Sequence, residues 1–406
     1  MIPVLALLAG CSGEPMPTRM VLAASSSPAG PGAAEPNLFS GKDGLVLMSW
    51  LEPLEEGGHA LRVAARGDEG NWSSVREVVR RDDFFVNWAD FPSVISLTDG
   101  RWLAHWLQRN GAATYAYEVR LAESIDNGQT WSASVTPHTP GVEAEHGFVS
   151  LLPDAAGGAS VFFLDGGDGI GRGAAPAPSG DHAHAVAMSL SVNSWSETMS
   201  NATKTVLDSR VCDCCQTAAA MTSRGPVVVY RDRSESEVRD IAIIRQVEGA
   251  WTEPMRVHAD DWEINACPVN GPAIIAEGEM VAVAWFTGAR DTAKVQVAFS
   301  SDAGATFGPP IRVDDGTPAG RVGLQWVRDD AMVSWLERGT GDTAFVRVRR
   351  VLRDGRTEAP MTVSRSSGAR SSGFPRMTRI PGGVMLAWTE PGTPSNIRVA
   401  TVTEVP

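Results

Sequence analysis

Four cysteines could hold a soft metal. Three are packed into Cys212-Asp213-Cys214-Cys215, and the fourth is Cys267. Thiolates at this density select copper(I) or zinc over harder cations. The spacing matches none of the common zinc patterns. His182 and His184 could add imidazoles. The competing chemistry is oxidation. Four cysteines allow three complete pairings, and two disulfides are the default in an oxidising compartment. A bond between the adjacent Cys214 and Cys215 would be strained. Cys267 is therefore expected to tie to the 212–215 cluster. No motif requires a resident cofactor, and copper or zinc is the only metal expectation.

Two other segments could do acid–base or ionic chemistry. Glu145-His146 stands before Gly147, a residue that lets the backbone approach a neighbour closely. As a pair they could serve as acid and base, since His titrates near neutrality. The alternative is a His hydrogen-bonded between packed elements. Residues 231–239 (RDRSESEVR) alternate in sign. They form either a loop with internal ion pairs or a polar lip that orients a sugar or anionic ligand. There is no P-loop, no HExxH and no GxSxG.

These residues must be positioned by something, and the chain repeats. A short apolar segment after a turn recurs at 44–52 (GLVLMSWLE), 100–107, 158–166, 225–233, 279–287 (EMVAVAWFT), 330–338 and 383–390. Each follows a partner strand across a Gly/Asp turn, and an alternating strand such as 345–349 (FVRVR) comes after it. Four strands at a period of roughly 50–60 residues make a propeller blade. The expected fold is all-β, a β-propeller of four-stranded antiparallel blades. Seven blades are favoured and six are the alternative. The last copy lacks an outer strand, and residues 18–24 could supply it and close the ring.

In a propeller the innermost strands line a central channel. The loops entering them share one face with the loops leaving the second strands. The entering loops here carry Trp88, Asp90, Glu145, His146, residues 210–215, Asn270, Arg321 and Arg370. The second-strand exits carry Asp165 and residues 231–239. Acidic, basic and His groups thus converge on one mouth.

Between third and outer strands, Ser124-Ile-Asp126-Asn-Gly128-Gln-Thr130-Trp131 and Ser300-Ser-Asp302-Ala-Gly304-Ala-Thr306-Phe307 share a pattern. It resembles the Asp-box, S-x-D-x-G-x-T-W, of the sialidase-like (BNR) propellers. Trp88-Ala-Asp90-Phe-Pro92, Cys212-Asp213-Cys214-Cys215 and Ala266-Cys267-Pro268-Val-Asn270-Gly-Pro resemble exported bacterial members of that group, over roughly residues 36–406. The resemblance implies that Asp126 and Asp302 staple outer turns and are not catalytic. It implies a site in which arginines clamp a sugar carboxylate, a Tyr–Glu pair is the nucleophile and an Asp is the acid/base. The candidate catalytic residues are then Asp90, Glu145, His146, Arg231, Arg233 and Arg321. The candidate substrate contacts are Trp88, Asp165, Arg239, Asn270 and Arg370. Two departures stand out. None of the three tyrosines (Tyr115, Tyr117, Tyr230) lies in an entering loop. Arg379-Ile380-Pro381 has the letters of the family's early Arg-Ile-Pro motif but falls in the last blade.

Composition limits the partners. The chain has 406 residues, 43% apolar and 20% charged, so it can bury a large core. The net charge of −13, with no basic stripe, argues against nucleic acid. A glycan or another small anionic ligand is the expected partner, and a monomer is expected. Leu8-Ala9-Gly10-Cys11 resembles a bacterial lipobox, which makes 1–11 a signal peptide with Cys11 lipidated. Residues 12–35, rich in Ser, Pro, Gly and Ala, read as a flexible tether. Export to the periplasm or cell surface follows, with membrane contact through the lipid alone. No stretch of 18 apolar residues occurs.

Overall fold

The computed structural model describes residues 19–405, except 42, 68–69, 171–186, 197–198 and 200–201. Cys11, His182 and His184 lie outside the described residues. The chain forms seven antiparallel sheets in a ring, a seven-bladed propeller. The innermost strands are Ala34–Ser40, Ser93–Ser96, His146–Pro153, Ala218–Thr222, Ala273–Glu277, Pro318–Val327 and Arg376–Ile380. Each pairs outward with a second and then a third strand.

The second strands read as unbroken apolar runs because both of their faces are covered. In blade 1, Val46, Met48 and Trp50 pack toward blade 7, while Leu47 and Leu51 pack toward blade 2. The core is accordingly seven interblade clusters. Trp50, Trp285 and Trp335 are fully buried. Each donates its indole N–H to a carboxylate: Glu52 at 3.0 Å, Asp260 at 2.7 Å and Glu337 at 2.7 Å. The apolar ring thus contributes burial, and the one polar atom it carries is satisfied.

The ring closes with an N-terminal strand. Arg19–Ser25 pairs along Asn396–Val405, from Arg19 opposite Val405 to Ser25 opposite Val399. The outer positions vary elsewhere. Blade 2 has three strands plus a single bridge between Leu121 and Val135, and the outer strand of blade 4 is split in two. The tether expected at 12–35 does not extend past residue 18. From Arg19 on, that segment belongs to the propeller: Ala33 is fully buried, and the Gly32 N–H donates to the Ser395 carbonyl at 2.8 Å. Its Gly and Pro serve the turns that carry the chain from the outer edge of blade 7 to the channel.

The two Asp-box turns are alike. Asp126 accepts from the Thr130 N–H at 2.8 Å and hydroxyl at 2.6 Å. Asp302 accepts the same pair from Thr306 at 2.9 and 2.6 Å. Hydrogen bonds led by that from Thr130 lower Asp126 to about 2. Both carboxylates are spent on outer turns, away from the mouth.

Candidate functional site

The mouth is built by three bulges. Glu35, Phe148 and Arg321 each start an innermost strand with left-handed backbone, at φ of 56°, 53° and 55°. At each the register with the second strand shifts. Non-glycine residues in this region carry a strain of roughly 1–3 kcal/mol, and the surroundings must hold them there. Below them runs a channel cavity of about 260 Å³, lined by all seven blades. Above it, between blades 7, 1 and 2, a second cavity of about 320 Å³ is lined by Glu35, Trp88, Ser371, Thr389 and Ser395, among others.

Glu35 is the only ionisable side chain lining this second cavity among the described residues. It is 9% exposed, and its Oε2 is buried with no hydrogen-bond partner among the described residues. Burial, reinforced by the Asp90 carboxyl, raises it from 4.5 to about 8. Asp90 is 3% exposed and lines the channel cavity. Burial raises it to about 7, against the Phe148 N–H at 2.8 Å and the Tyr117 hydroxyl at 3.2 Å, which favour the ionised form. The Asp90 carboxyl is thus one of the causes that hold the proton on Glu35.

Tyr117 links this pair to Glu145. Its hydroxyl lies 3.0 Å from Glu145 Oε1 as well as beside Asp90. The ring is fully buried and stacked on Phe85 at 3.8 Å. Burial and the two carboxyls raise its pKa well above 10. Gly147 makes the arrangement possible, because a Cβ there would strike Asp90 Oδ2. Glycine at this position is thus a space requirement.

Most predicted arginines are spent on the scaffold. Arg231 is 2% exposed, and its guanidinium donates to the carbonyls of Asn270 (3.0 and 2.8 Å), Arg239 (2.6 Å) and Phe286 (2.7 Å). Arg321 donates to Ser372 Oγ at 2.7 Å and to the Gly373 and Ala369 carbonyls at 2.6 and 3.2 Å. Its guanidinium lies 4.9 Å from the Trp88 ring and so props the cavity wall. Arg233 and Arg239 both pair with Glu237 at 2.8–3.0 Å. Asn270 latches blades, donating to the Pro268 and Ala319 carbonyls and accepting from the Arg321 N–H. These residues do not assemble as a carboxylate clamp. Arg370 is exposed at the rim.

His146 and Asp165 are scaffold too. His146 is stacked on His138 at 3.8 Å, with Nδ1 2.9 Å from the Tyr117 carbonyl and Nε2 3.3 Å from Asp165. This is the interblade hydrogen bonding weighed as the alternative to an acid–base pair. Asp165 also accepts from Lys204 at 2.6 Å. Burial would raise Asp165, but His146 and Lys204 hold it well below the usual carboxylate range.

The four cysteines lie in the two loops entering blades 4 and 5, and no disulfide joins them, in place of the two expected. The Cys212 sulfur lies 3.7 Å from that of Cys214 and 3.5 Å from that of Cys215. Burial would raise Cys212, but its two thiol neighbours and the Arg239 and Arg231 guanidiniums bring it well below the usual thiol range.

Sequence reasoning missed Glu35 and discounted Tyr117. Composition placed Glu35 in the tether. Tyr117 opens the third strand of blade 2, Tyr117–Ser124, and not an entering loop. Its proximity to Glu145 is a tertiary fact. The Gly147 spacing was the only signal pointing there.

No family model and no curated protein matches the chain. Solved structures do. The polysaccharide lyase Uly1 is 10% identical, covers 92% of this chain and 90% of its own, and superposes with a TM-score of 0.52. The phage phi92 endosialidase is 9% identical, covers 95% of this chain and 69% of its own, with a TM-score of 0.51. The chain shares its overall fold with these two proteins. At these identities the likeness is one of fold alone. A Penicillium chrysogenum alpha-L-arabinanase solved with arabinobiose aligns over 92% of this chain and 93% of its own, at 13% identity and a TM-score of 0.48.

Proposed function

We propose that this chain is an exported, lipid-anchored propeller that binds an uncharged sugar unit at the mouth and hydrolyses its glycosidic bond. The observation that carries the reading is Glu35: a buried carboxylic acid, neutral to about pH 8, lining a cavity with Trp88. An aromatic face beside hydroxyls and a carboxyl suits a sugar ring. The arginines that would clamp an anionic sugar are occupied by backbone carbonyls and Glu237, which favours an uncharged one. Two solved propellers of this fold are a polysaccharide lyase and an endosialidase by name. The anchor rests on Leu8-Ala9-Gly10-Cys11.

In this reading Glu35 gives its proton to the leaving-group oxygen as the C1–O bond breaks. Water forms the new bond to C1 and releases its proton to solvent, from which Glu35 is reprotonated. Glu35 takes the general-acid role in glycoside hydrolysis, and burial and the Asp90 carboxyl keep its proton in place until the bond breaks.

The test compares wild type with Glu35→Gln on neutral oligosaccharides and on 4-nitrophenyl glycosides. Loss of a general acid costs about 10²–10⁴-fold where the leaving group needs a proton. Nitrophenolate does not need one. The variant should therefore lose oligosaccharide turnover while keeping most nitrophenyl glycoside turnover and ligand binding. Equal turnover by both proteins, or a wild type that neither binds nor cleaves any member of the panel, would overturn the proposal.

A further inference from the structure

We infer that Cys212, Cys214 and Cys215, with Cys267 at their edge, form a binding site for a single thiophilic d¹⁰ cation, copper(I) or zinc(II). The ligand atoms of the first three lie within 4.8 Å of one another. Metal–sulfur bonds of about 2.3 Å in a tetrahedral arrangement put sulfurs about 3.8 Å apart. The observed separations of 3.7 and 3.5 Å are already close to that spacing. Cys267 stands at the edge of this set, its sulfur within 4.8 Å of Cys214 and of an Asp213 carboxylate oxygen, so Cys214 is common to both groups. Each thiol that ligates releases its proton to solvent as the metal–sulfur bond forms.

A second observation favours bound thiolates over disulfides. The Arg239 guanidinium, 3% exposed, donates to the Cys212 sulfur at 3.3 Å. The backbone N–H of Asn270 donates to the Cys215 sulfur at 3.4 Å. Donors aimed at sulfur are what orient and stabilise metal-bound thiolates. The cluster joins the loop entering blade 4 to the loop entering blade 5, so the ion would staple two mouth loops. The site is separate from the Glu35 cavity between blades 7, 1 and 2 and does not depend on the glycan reading.

The test uses the full mature chain, reduced and anaerobic. Copper(I), buffered by a chromophoric chelator, and zinc(II) are titrated separately, with metal analysis after desalting. We expect a single equivalent of at least one ion, protection of the cysteines from alkylation, and loss of both in Cys214→Ser. Cys267→Ser, at the edge of the cluster, should retain weaker binding, and it serves as the second probe if Cys214→Ser does not fold. The arm that binds identifies the ion. A reduced wild type with four titratable thiols that retains neither ion would overturn the inference. So would wild-type affinity in both serine variants.

Discussion

Replacing Glu35 with Gln should change the pH dependence of stability more than the stability at acid pH. The folded chain keeps a proton on Glu35 up to about pH 8, while the unfolded chain releases it near 4.5. Between those values the folded state binds more protons, so wild-type stability falls as pH rises. At about 1.4 kcal/mol per pH unit the full loss is of order 5 kcal/mol, complete above about pH 8 and absent below about pH 4.5. Glutamine has no proton to lose. Asp90 titrates in both proteins, so its contribution largely cancels in the comparison. Urea denaturation followed by tryptophan fluorescence, at about pH 5 and about pH 8, measures the difference. The variant should gain several kcal/mol on wild type between the two. A difference between the proteins that does not change with pH would mean that Glu35 ionises normally. The neutral acid would then be gone, and the hydrolytic reading with it.

Two further outcomes follow from geometry and sequence. Gly147→Ala puts a methyl into the Asp90 carboxyl, which the Phe148 N–H and Tyr117 hydroxyl hold in place; we expect a loss of about 1–3 kcal/mol in denaturation, and unchanged stability would show that Asp90 moves freely. Cys11→Ser should abolish radiolabelled-palmitate incorporation and release the protein from membranes, and labelling that persists would remove the anchor.

How much could be read in advance depended on how local each cause is. The second strands were legible because covering both faces forces a continuous apolar run such as 44–52. The Asp-box turns were legible because Asp126 satisfies donors only a few residues away. The closing strand was legible because a blade without an outer edge needs one. Glu35 was not. Its role depends on a left-handed bulge, on Thr389 accepting its N–H at 3.1 Å, and on Asp90 nearby. The Ser, Gly and Pro around it resemble a linker in composition. Tyr117 was hidden for a related reason, since blade position says where a backbone lies and not which carboxyls a buried phenol reaches across two blades.

The arginines show why residue type alone misleads at a propeller mouth. Loops that leave the sheets carry carbonyls with no ladder partner, and buried carbonyls must be paired. A guanidinium has five N–H donors in one plane, so a single Arg can cap several of them. Arg231 covers three residues' carbonyls across blades 4 and 5, and Arg321 covers two near blade 7. An arginine used this way keeps its charge but has few donors left for a ligand. Positive charge thus goes into building the rim, and the cavity between blades 7, 1 and 2 is left with a protonated carboxyl as its ionisable lining. A site of that kind has little to offer an anion. On the proposed reading it suits a neutral ligand that needs a proton at one oxygen, a specificity that the propeller fold by itself does not set.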